Sequence, residues 1–419
     1  MTDLSVDARL LTSERGAAPP INASVVIFAS AALGAGALAL ADAYGWRQGA
    51  LFLVGGGLGV ALYHALFGFT SAWRVFIANG RGAGLRAQML MLAVAAVLFF
   101  PALGHGTLFG QPVHGEYGAV GVSLLVGAFL FGLGMQLGGG CASGTLYTAG
   151  GGNTRMLVTL AFFIIGSAFG AWHLPWWSAL PNVGKVSLIA AWGWFPALLV
   201  SLVGFAAIAA VTTLIERRRH GTLRSGAPTD RRGWQRFLHG PWPLLAGAVA
   251  LALGNFATLY LAGRPWGITS AFALWGSKIF AAAGVDVASW GYWQGAERIK
   301  SLNGSVFADI TSVMDFGIIL GALLASGLAG KFHPGWKVDA RSLAAAIIGG
   351  LLLGYGARLA YGCNIGAYFS GIASSSLHGW IWLVAAFLGS VLGTYLRPWF
   401  GLSVERGPAK AQAGVVARA

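Results

Sequence analysis

The sequence predicts an all-α polytopic membrane protein, with about ten transmembrane helices plus re-entrant segments in two inverted repeats. Of its 419 residues 56% are hydrophobic and only 10% are charged, and the mean hydropathy is +0.70. Globular domains carry about 25% charged residues, so an ordinary soluble protein is excluded. The apolar segments are continuous rather than alternating, which excludes an outer-membrane barrel. The 65 glycines lie within these apolar runs, where small residues let helices approach closely.

Ten segments are apolar and long enough to span a bilayer, which takes roughly 20 mostly apolar residues. They are placed at about 24–41, 50–67, 88–104, 118–140, 154–172, 195–215, 243–262, 312–329, 342–361 and 379–396. The residues before the first segment are mixed in charge and lack the basic start of a secretory signal. This segment is therefore expected to remain as a membrane helix.

The orientation follows from an arginine-rich segment, 216–241, which carries seven arginines and is expected to be cytoplasmic. Since each span changes side, both termini are then cytoplasmic as well. The predicted inside segments hold 20 of the 27 basic residues and the outside segments hold six, as the positive-inside rule expects. The net charge of +14 is therefore interpreted as a topology signal, and no nucleic-acid partner is predicted.

The stretch 264–311, on the predicted outer side, is too long and too apolar for a simple exposed loop. Within it, residues 267–284 are expected to form a re-entrant or interfacial helix. The alternative is an eleventh span, which would reverse the orientation of everything downstream and worsen the distribution of basic residues.

An internal repeat surrounds the only two cysteines of the chain. GLGMQLGGGCASG at 132–144 is matched by GYGARLAYGCNIG at 354–366, an offset of 222 residues. Upstream, GFTSAW at 68–73 matches GITSAF at 267–272. In the predicted topology the two copies run in opposite directions, which is the inverted repeat of many transporters. The Gly- and Ser-rich stretches that follow both cysteines are expected to be irregular backbone, buried in protein near the midplane.

These patterns divide the chain into seven parts. In chain order they are an N-terminal cytoplasmic tail (1–23), an extra transmembrane helix (24–41), a first repeat (50–172), a connecting loop and helix (173–215), the Arg-rich cytoplasmic loop (216–241), a second repeat (243–396) and a cytoplasmic C-terminal tail (397–419).

Cys141 and Cys363 are the first candidates for a functional site. A single buried cysteine usually behaves as a small, inert hydrophobe. Here, however, both cysteines of the chain occupy the same place in two repeats, which favours a functional role. The glycines of the shared motif are expected to belong to the same substrate-binding site: Gly140, Gly144, Gly362 and Gly366.

Polar side chains stand five residues before each cysteine, Gln136 in the first copy and Arg358 in the second. An arginine within a span is costly and is therefore a candidate functional residue. No Asp or Glu occurs among residues 340–400, so an anion is a natural partner. The alternative is that this guanidinium caps carbonyls of a broken helix.

Thr70 and Thr269 of the upstream motif are expected to offer hydroxyls to an oxyanion or, alternatively, to cap helices.

No cofactor or metal is predicted. The eight histidines show no metal-ligand spacing with the cysteines, and two cysteines are too few for a disulfide framework. No nucleotide-binding motif occurs in a strand–helix context. The expected partners are therefore a small anion and the lipid bilayer.

The motifs GGGCASGTLYTAGGGN at 138–153 and YGCNIGAYFSGIASSS at 361–376 resemble those of the YeeE/YedE sulphur-transport family of bacterial inner-membrane proteins. The resemblance covers about 50–396. It implies an importer of thiosulfate or a related sulphur-containing anion, in which Cys141 and Cys363 contact the substrate at a central constriction. Some members have a further cysteine nearer the outer mouth, which this chain lacks, and related branches are linked to selenium metabolism.

Two classes of function remain open: a transporter with the thiols as transient contacts, and a membrane thiol enzyme for sulphur transfer or redox relay. A thiol is a soft, polarizable partner for the terminal sulphur of thiosulfate. An enzyme would need a nearby base, and no histidine lies within ten residues of Cys141. Transport is therefore favoured, with a selenium compound as the alternative substrate. A cytosolic sulphur-carrier protein is a partner that the sequence leaves open.

Overall fold

The part of the chain that the structure describes is predominantly helical. The computed structural model describes residues 20–223, 233–336 and 338–405. Within them, ten helices are long and apolar enough to cross a membrane. This confirms the predicted all-α polytopic fold and the predicted number of spans, and each predicted segment overlaps one of these helices.

The first half of the described chain consists of helices connected by short loops. These helices are α1 (Ala23–Tyr44), α2 (Trp46–Ala65), α3 (Phe69–Asn79), α4 (Ala83–His105), α5 (Val122–Gly138), α6 (Ala142–Gly150), α7 (Thr154–Ser178), α8 (Leu188–Trp192) and α9 (Trp194–His220). Two small antiparallel pairs of strands lie at one end of the bundle, β1 (Thr107–Leu108) with β2 (Gln111–Pro112) and β3 (Ala119–Gly121) with β4 (Asn182–Lys185).

The second half begins after the arginine-rich loop, of which residues 224–232 lie outside the described part. Its helices are α10 (Gly233–His239), α11 (Leu244–Ala262), α12 (Thr269–Ala282), α13 (Ala296–Asn303), α14 (Ile310–Leu328), α15 (Ala340–Leu359), a π-helix (Asn364–Ser370), α16 (Gly371–Ala373) and α17 (Leu377–Leu396). Short 3-10 turns occur at Val287–Ser289, Gly291–Trp293 and Arg397–Phe400.

The predicted helix within 267–284 is present as α12, which has 14 residues. A span needs roughly 20 residues, so α12 is too short to be the alternative eleventh span. Whether α12 re-enters the membrane, and whether the two halves form an inverted repeat, remain predictions.

The stretches after the two cysteines differ from the expectation of irregular backbone. Residues 142–150 form an α-helix and residues 364–370 form a π-helix. The break in each half is confined to a few residues before the short helix, where Gly139 has φ +91° and Gly362 has φ +153°. The physical reason is that a helix satisfies its own backbone N–H and C=O groups, which a buried loop of the same composition would leave unpaired.

Glycines lie where spans cross, so that the helix backbones touch directly. A Cβ atom added to Gly59 of α2 would clash with the backbone of Ile318 in α14, and one added to Gly132 of α5 would clash with the backbone of Ala386 in α17. Lipid tails are as apolar as leucine, so the close backbone approach that small residues allow stabilises helix pairs in a membrane. This packing explains why the glycines lie inside the apolar runs.

Glu216 connects two spans at the end of the bundle that carries the arginine-rich loop. Its carboxylate is fully buried, 3.1 Å from Arg81 and 2.8 Å from Arg86, and it also accepts the backbone N–H of Gly82 at 3.0 Å. These charge-assisted bonds tie the start of α4 to the end of α9. The cytoplasmic location of this end, and the seven-part division of the chain, remain predictions.

Gly59→Leu is expected to destabilise the protein because the new side chain collides with the backbone of α14. Overpacking of this kind costs about 1–3 kcal/mol. The matched control is Gly57→Leu, two residues earlier in α2, where an added Cβ meets nothing within 4 Å. Melting in detergent should therefore show a lowered Tm for Gly59→Leu and a nearly unchanged Tm for Gly57→Leu. Equal Tm values for the two variants would contradict the packing described here.

Candidate functional site

Cys141 lies at the break between α5 and α6 and forms the N-cap of α6. Its Sγ accepts the backbone N–H of Gly144 at 3.4 Å and lies 3.4 Å from the hydroxyl of Ser143. Only 1% of its surface is exposed. The thiol is therefore fixed by the first turn of α6 and is closed to solvent in this conformation.

Cys363 occupies the corresponding position at the start of the π-helix. Its Sγ accepts the backbone N–H of Ile365 at 3.4 Å, and its side chain is completely buried. The π-helix contacts α6, and the side chains of Cys363 and Cys141 are near enough to interact electrostatically. Both thiols are free. The fold thus places the beginnings of two short helices, each capped by a cysteine, against each other in the core.

Three of the four glycines predicted for the site have different structural roles. A Cβ on Gly140 would lie 3.0 Å from the backbone of Gly144, so this residue is required by the tight turn into α6. Gly362 has a positive φ and closely approaches Ala367. Gly366, in contrast, has nothing within 4 Å of an added Cβ. It faces open space, which belongs to a cavity beside Cys363.

This cavity, which we call the vestibule, has a volume of about 410 Å³. It opens at the end of the bundle opposite the Glu216 cluster, and its inner wall includes Gly362 and Gly366 on either side of Cys363. Its charged lining comprises four cationic and two acidic side chains: Lys185, Arg264, Arg298, Arg358, Glu116 and Asp309. Because cations outnumber carboxylates, the vestibule attracts small anions. It ends at the segment that carries a buried thiol.

Arg358 lies at the deep end of the vestibule and is only 8% exposed. Its guanidinium donates to the hydroxyl of Thr269 at 2.7 Å and to the phenolic oxygen of Tyr292 at 3.1 Å, and its Nε has no partner among the described residues. The alternative that Arg358 caps carbonyls of a broken helix is therefore wrong. Since both partners are neutral hydroxyls, the guanidinium charge is available to an anion. Tyr292 could not be predicted, because it comes from a loop distant in the sequence.

Glu116 is an acidic component of the vestibule that the sequence prediction missed. Burial raises the pKa of its carboxyl, and the nearby Arg264, Lys185 and Arg358 lower it only in part. The only signal for it in the sequence is that it is the single acid in the loop between α4 and α5. Its charge opposes that of the cations, and its titration changes the net charge of the vestibule.

Gln136 and Thr70 lie together, but away from the vestibule. The side-chain amide of Gln136 donates to the backbone carbonyl of Thr70 at 3.1 Å, and both residues are buried. Arg358 and Thr269 form the corresponding pair in the other half. The alternative role of both threonines as helix caps is wrong, because the N-caps of α3 and α12 are Gly68 and Ile268.

The fold and the site together define a polytopic all-α membrane protein, in which a positively charged cavity ends at the segment of a buried thiol. The chain belongs to the sulphur transport family, whose model matches residues 64–392. The family indicates a transporter rather than an enzyme, in agreement with the prediction from the sequence.

Named relatives agree with this assignment. The thiosulfate transporter TsuA of Spirochaeta thermophila is 27% identical over 368 residues, which cover 83% of this chain and 97% of the relative. The thiosulfate transporter TsuA of Escherichia coli K12 is 26% identical over 81% of this chain and 93% of its own length. The probable transporter YedE of the same strain is 34% identical over 189 residues, and the match spans only 44% of its length.

The charge of the vestibule predicts which reagents reach Cys363. In a Cys141→Ser variant, an anionic methanethiosulfonate reagent should modify Cys363 faster than a cationic reagent of similar size, by about tenfold through electrostatic enrichment. The time course is followed by mass spectrometry of the intact protein. In the Cys363→Ser control the remaining thiol does not adjoin the vestibule, so both reagents should react more slowly. Equal rates for the two reagents at Cys363 would contradict the assigned electrostatics.

Proposed function

We propose that this protein takes up thiosulfate, or a related sulphur-containing anion, across the bacterial inner membrane. The observation that carries the proposal is the vestibule, where no carboxylate of the described residues bonds to Arg358 and the wall continues into the Cys363 segment. Membership of the sulphur transport family and the names of the TsuA relatives support the same substrate class. The vestibule faces the periplasm in this proposal, since the distribution of basic residues favours a cytoplasmic arginine-rich loop.

The proposed path leads from the vestibule to the two thiols. The cations concentrate the dianion, and Arg358 with the hydroxyls of Thr269 and Tyr292 binds its oxygens by charge-assisted hydrogen bonds. Cys363 and then Cys141 offer soft sulphur atoms and weak S–H donors to the terminal sulphur. Weak, successive contacts let an ion leave as readily as it enters, which conduction requires. Because both thiols are buried here, transport requires an opening at the two helix breaks.

The alternative functions differ in what they require of the thiols. A sulphur-transfer enzyme needs a base beside its nucleophile, whereas the hydrogen-bond partners of these thiols in the described structure are backbone N–H groups and the hydroxyl of Ser143. Transport of a selenium-containing anion would use the same contacts, and competition against labelled thiosulfate distinguishes it. Docking of a cytosolic sulphur-carrier protein on the arginine-rich loop remains a proposal.

Replacement of either cysteine is expected to abolish or strongly reduce uptake. Cys141→Ala and Cys363→Ala remove the soft contact, and the serine variants should fail as well because a hydroxyl is a harder, less polarizable partner. Uptake of radiolabelled thiosulfate is measured in proteoliposomes, with labelled sulfate as the comparison and melting as the control for folding. Wild-type uptake by the double alanine variant would refute the role of the thiols.

The affinity for the anion is expected to rise as the pH falls through the raised pKa of Glu116. Protonation removes the negative charge, so the vestibule becomes more positive. Glu116→Gln should bind thiosulfate at neutral pH roughly three- to tenfold more tightly than the wild type, and its affinity should vary less with pH. Binding is measured by calorimetry between about pH 5 and pH 8. An unchanged pH profile in the variant would exclude Glu116 as the titrating group.

A further inference from the structure

A fully buried acid, Asp315 in α14, takes no part in the site described above. It has no exposed surface, and neither carboxyl oxygen has a hydrogen-bond partner among the described residues. Glu216, the other acid at 0% exposure in this part of the chain, differs because Arg81 and Arg86 neutralise it. An unpaired carboxylate inside a membrane span is very costly, and such residues are functional candidates.

Asp315 lies between the vestibule and the cysteines. Asp309, which lines the vestibule, caps α14 and accepts the backbone N–H and the hydroxyl of Ser312 at 2.8 Å and 2.7 Å. Asp315 follows Ser312 by three residues, about one further turn into the protein. Its carboxyl is near enough to Asp309 at one end and to Cys363 at the other for a charge at one position to affect ionisation at the next. Asp309, Ser312 and Asp315 therefore form a row of polar side chains, three residues apart, between the vestibule and the buried acid.

The face of α14 that carries Asp315 also contacts α6. Gly150 of α6 packs against the backbone of Ile319, and Asp315 precedes Ile319 by four residues, which places both on the same side of the helix. Because α6 begins at Cys141, the acid lies on the side of α14 that faces the cysteine-bearing helices.

No cation of the described chain neutralises this carboxyl. The helices that contact α14 are α1, α2, α6, α10, α11 and α12. Their titratable groups are Asp42, Tyr44, Arg47, Tyr63, His64, Tyr147, Arg236, His239, Tyr260 and Lys278, and Arg264, in the loop after α11, donates to the hydroxyl of Thr311 in α14. None of them donates a hydrogen bond to Asp315. Lys278, for example, donates to the backbone carbonyls of Leu302 and Gly304. Neutrality must therefore come from a proton or from a mobile cation.

The surroundings favour a proton over a metal ion. A hard cation requires several oxygen ligands, and the described residues contain no group of three or more His, Cys, Asp or Glu side chains that could hold one. A proton requires only the carboxyl itself.

We propose that Asp315 is the proton site of a coupled cycle, in which at least one proton enters with each anion. This inference rests on the proposed function. The proton comes from the solution at the vestibule, binds a carboxyl oxygen of Asp315, and leaves to the opposite solution after the anion has passed. On binding, an O–H bond of hydronium breaks and the O–H bond of the carboxyl forms; on release, the carboxyl O–H bond breaks and water on the opposite side accepts the proton. An anion held nearby favours the neutral acid, and by linkage the neutral acid favours anion binding by the same factor.

The test uses the full-length protein in proteoliposomes, with labelled thiosulfate outside and a pH-sensitive dye inside. The wild type should acidify the lumen as thiosulfate enters. A gradient of one pH unit, with the outside more acidic than the lumen, should raise accumulation roughly tenfold for one coupled proton, since one unit is a tenfold ratio of proton activity. Asp315→Asn, which mimics the neutral acid, should lose both effects and retain thiosulfate exchange at equal pH. The control Asp286→Asn removes an exposed carboxylate and should behave as the wild type.

Several results would overturn the inference. Thiosulfate uptake by the wild type without acidification, or uptake that requires Na⁺, would exclude the proton site and leave the proposed function intact. Normal proton coupling in Asp315→Asn would also exclude Asp315 as the proton site and leave the proposed function intact. Loss of coupling in Glu116→Gln but not in Asp315→Asn would have the same consequence. No uptake by the wild type would instead contradict the proposed function.

A second measurement covers the case in which Asp315→Asn does not fold. A hydrophobic carbodiimide attacks protonated carboxyls, so it should label Asp315 in the wild-type protein and stop proton entry. Peptide mass spectrometry locates the label. Inhibition of proton entry without a label on Asp315 would overturn the inference.

Discussion

Direct contact between helix backbones is the constraint on which the rest of this fold depends. Apolar side chains gain little by leaving lipid for each other, so the helices associate where small residues let them touch. At Gly59, Gly132 and Gly354 an added Cβ would meet the backbone of the neighbouring span. These crossings hold the long helices firmly around the two breaks. The positions of Cys141 and Cys363 therefore follow from glycine packing elsewhere, more than from the few contacts of the thiols themselves.

The number and approximate positions of the spans could be predicted because the length of an apolar run decides whether a helix crosses a bilayer. The local structure after the cysteines could not. Glycine, serine and asparagine indicate loops in soluble proteins, but inside a membrane an unpaired backbone group costs more than a poor helix propensity. The same residues therefore form α6 and the π-helix. The amino-acid composition alone therefore does not show whether helix propensity or the cost of unpaired backbone groups decides the local structure.

The candidate site was predictable where a single residue carried the signal. Arg358 is a charged residue within a span. Because residues 340–400 contain no Asp or Glu, the sequence indicated that its partner is an anion. Tyr292 and Glu116 reach the vestibule through tertiary packing of separate loops, which no local pattern encodes. Asp315 carries the same signal as Arg358, a charge within a predicted span, but it lies outside the repeated motifs on which the sequence prediction rested.

The two polar pairs of the core, Gln136 with Thr70 and Arg358 with Thr269, are electrically unequal. A passage with identical ends would hold an anion for the same time at each. Here Arg358 has a charge that is open to the vestibule, whereas the guanidinium groups beside Gln136, those of Arg397 and Arg155, donate to the backbone carbonyls of residues 136–138. The dwell time of an anion is therefore longer at Arg358. This asymmetry drives no net flow at equilibrium. Under a gradient of the anion it favours flow in one direction, because the anion is held longer at Arg358 and is released more readily at the other end of the path.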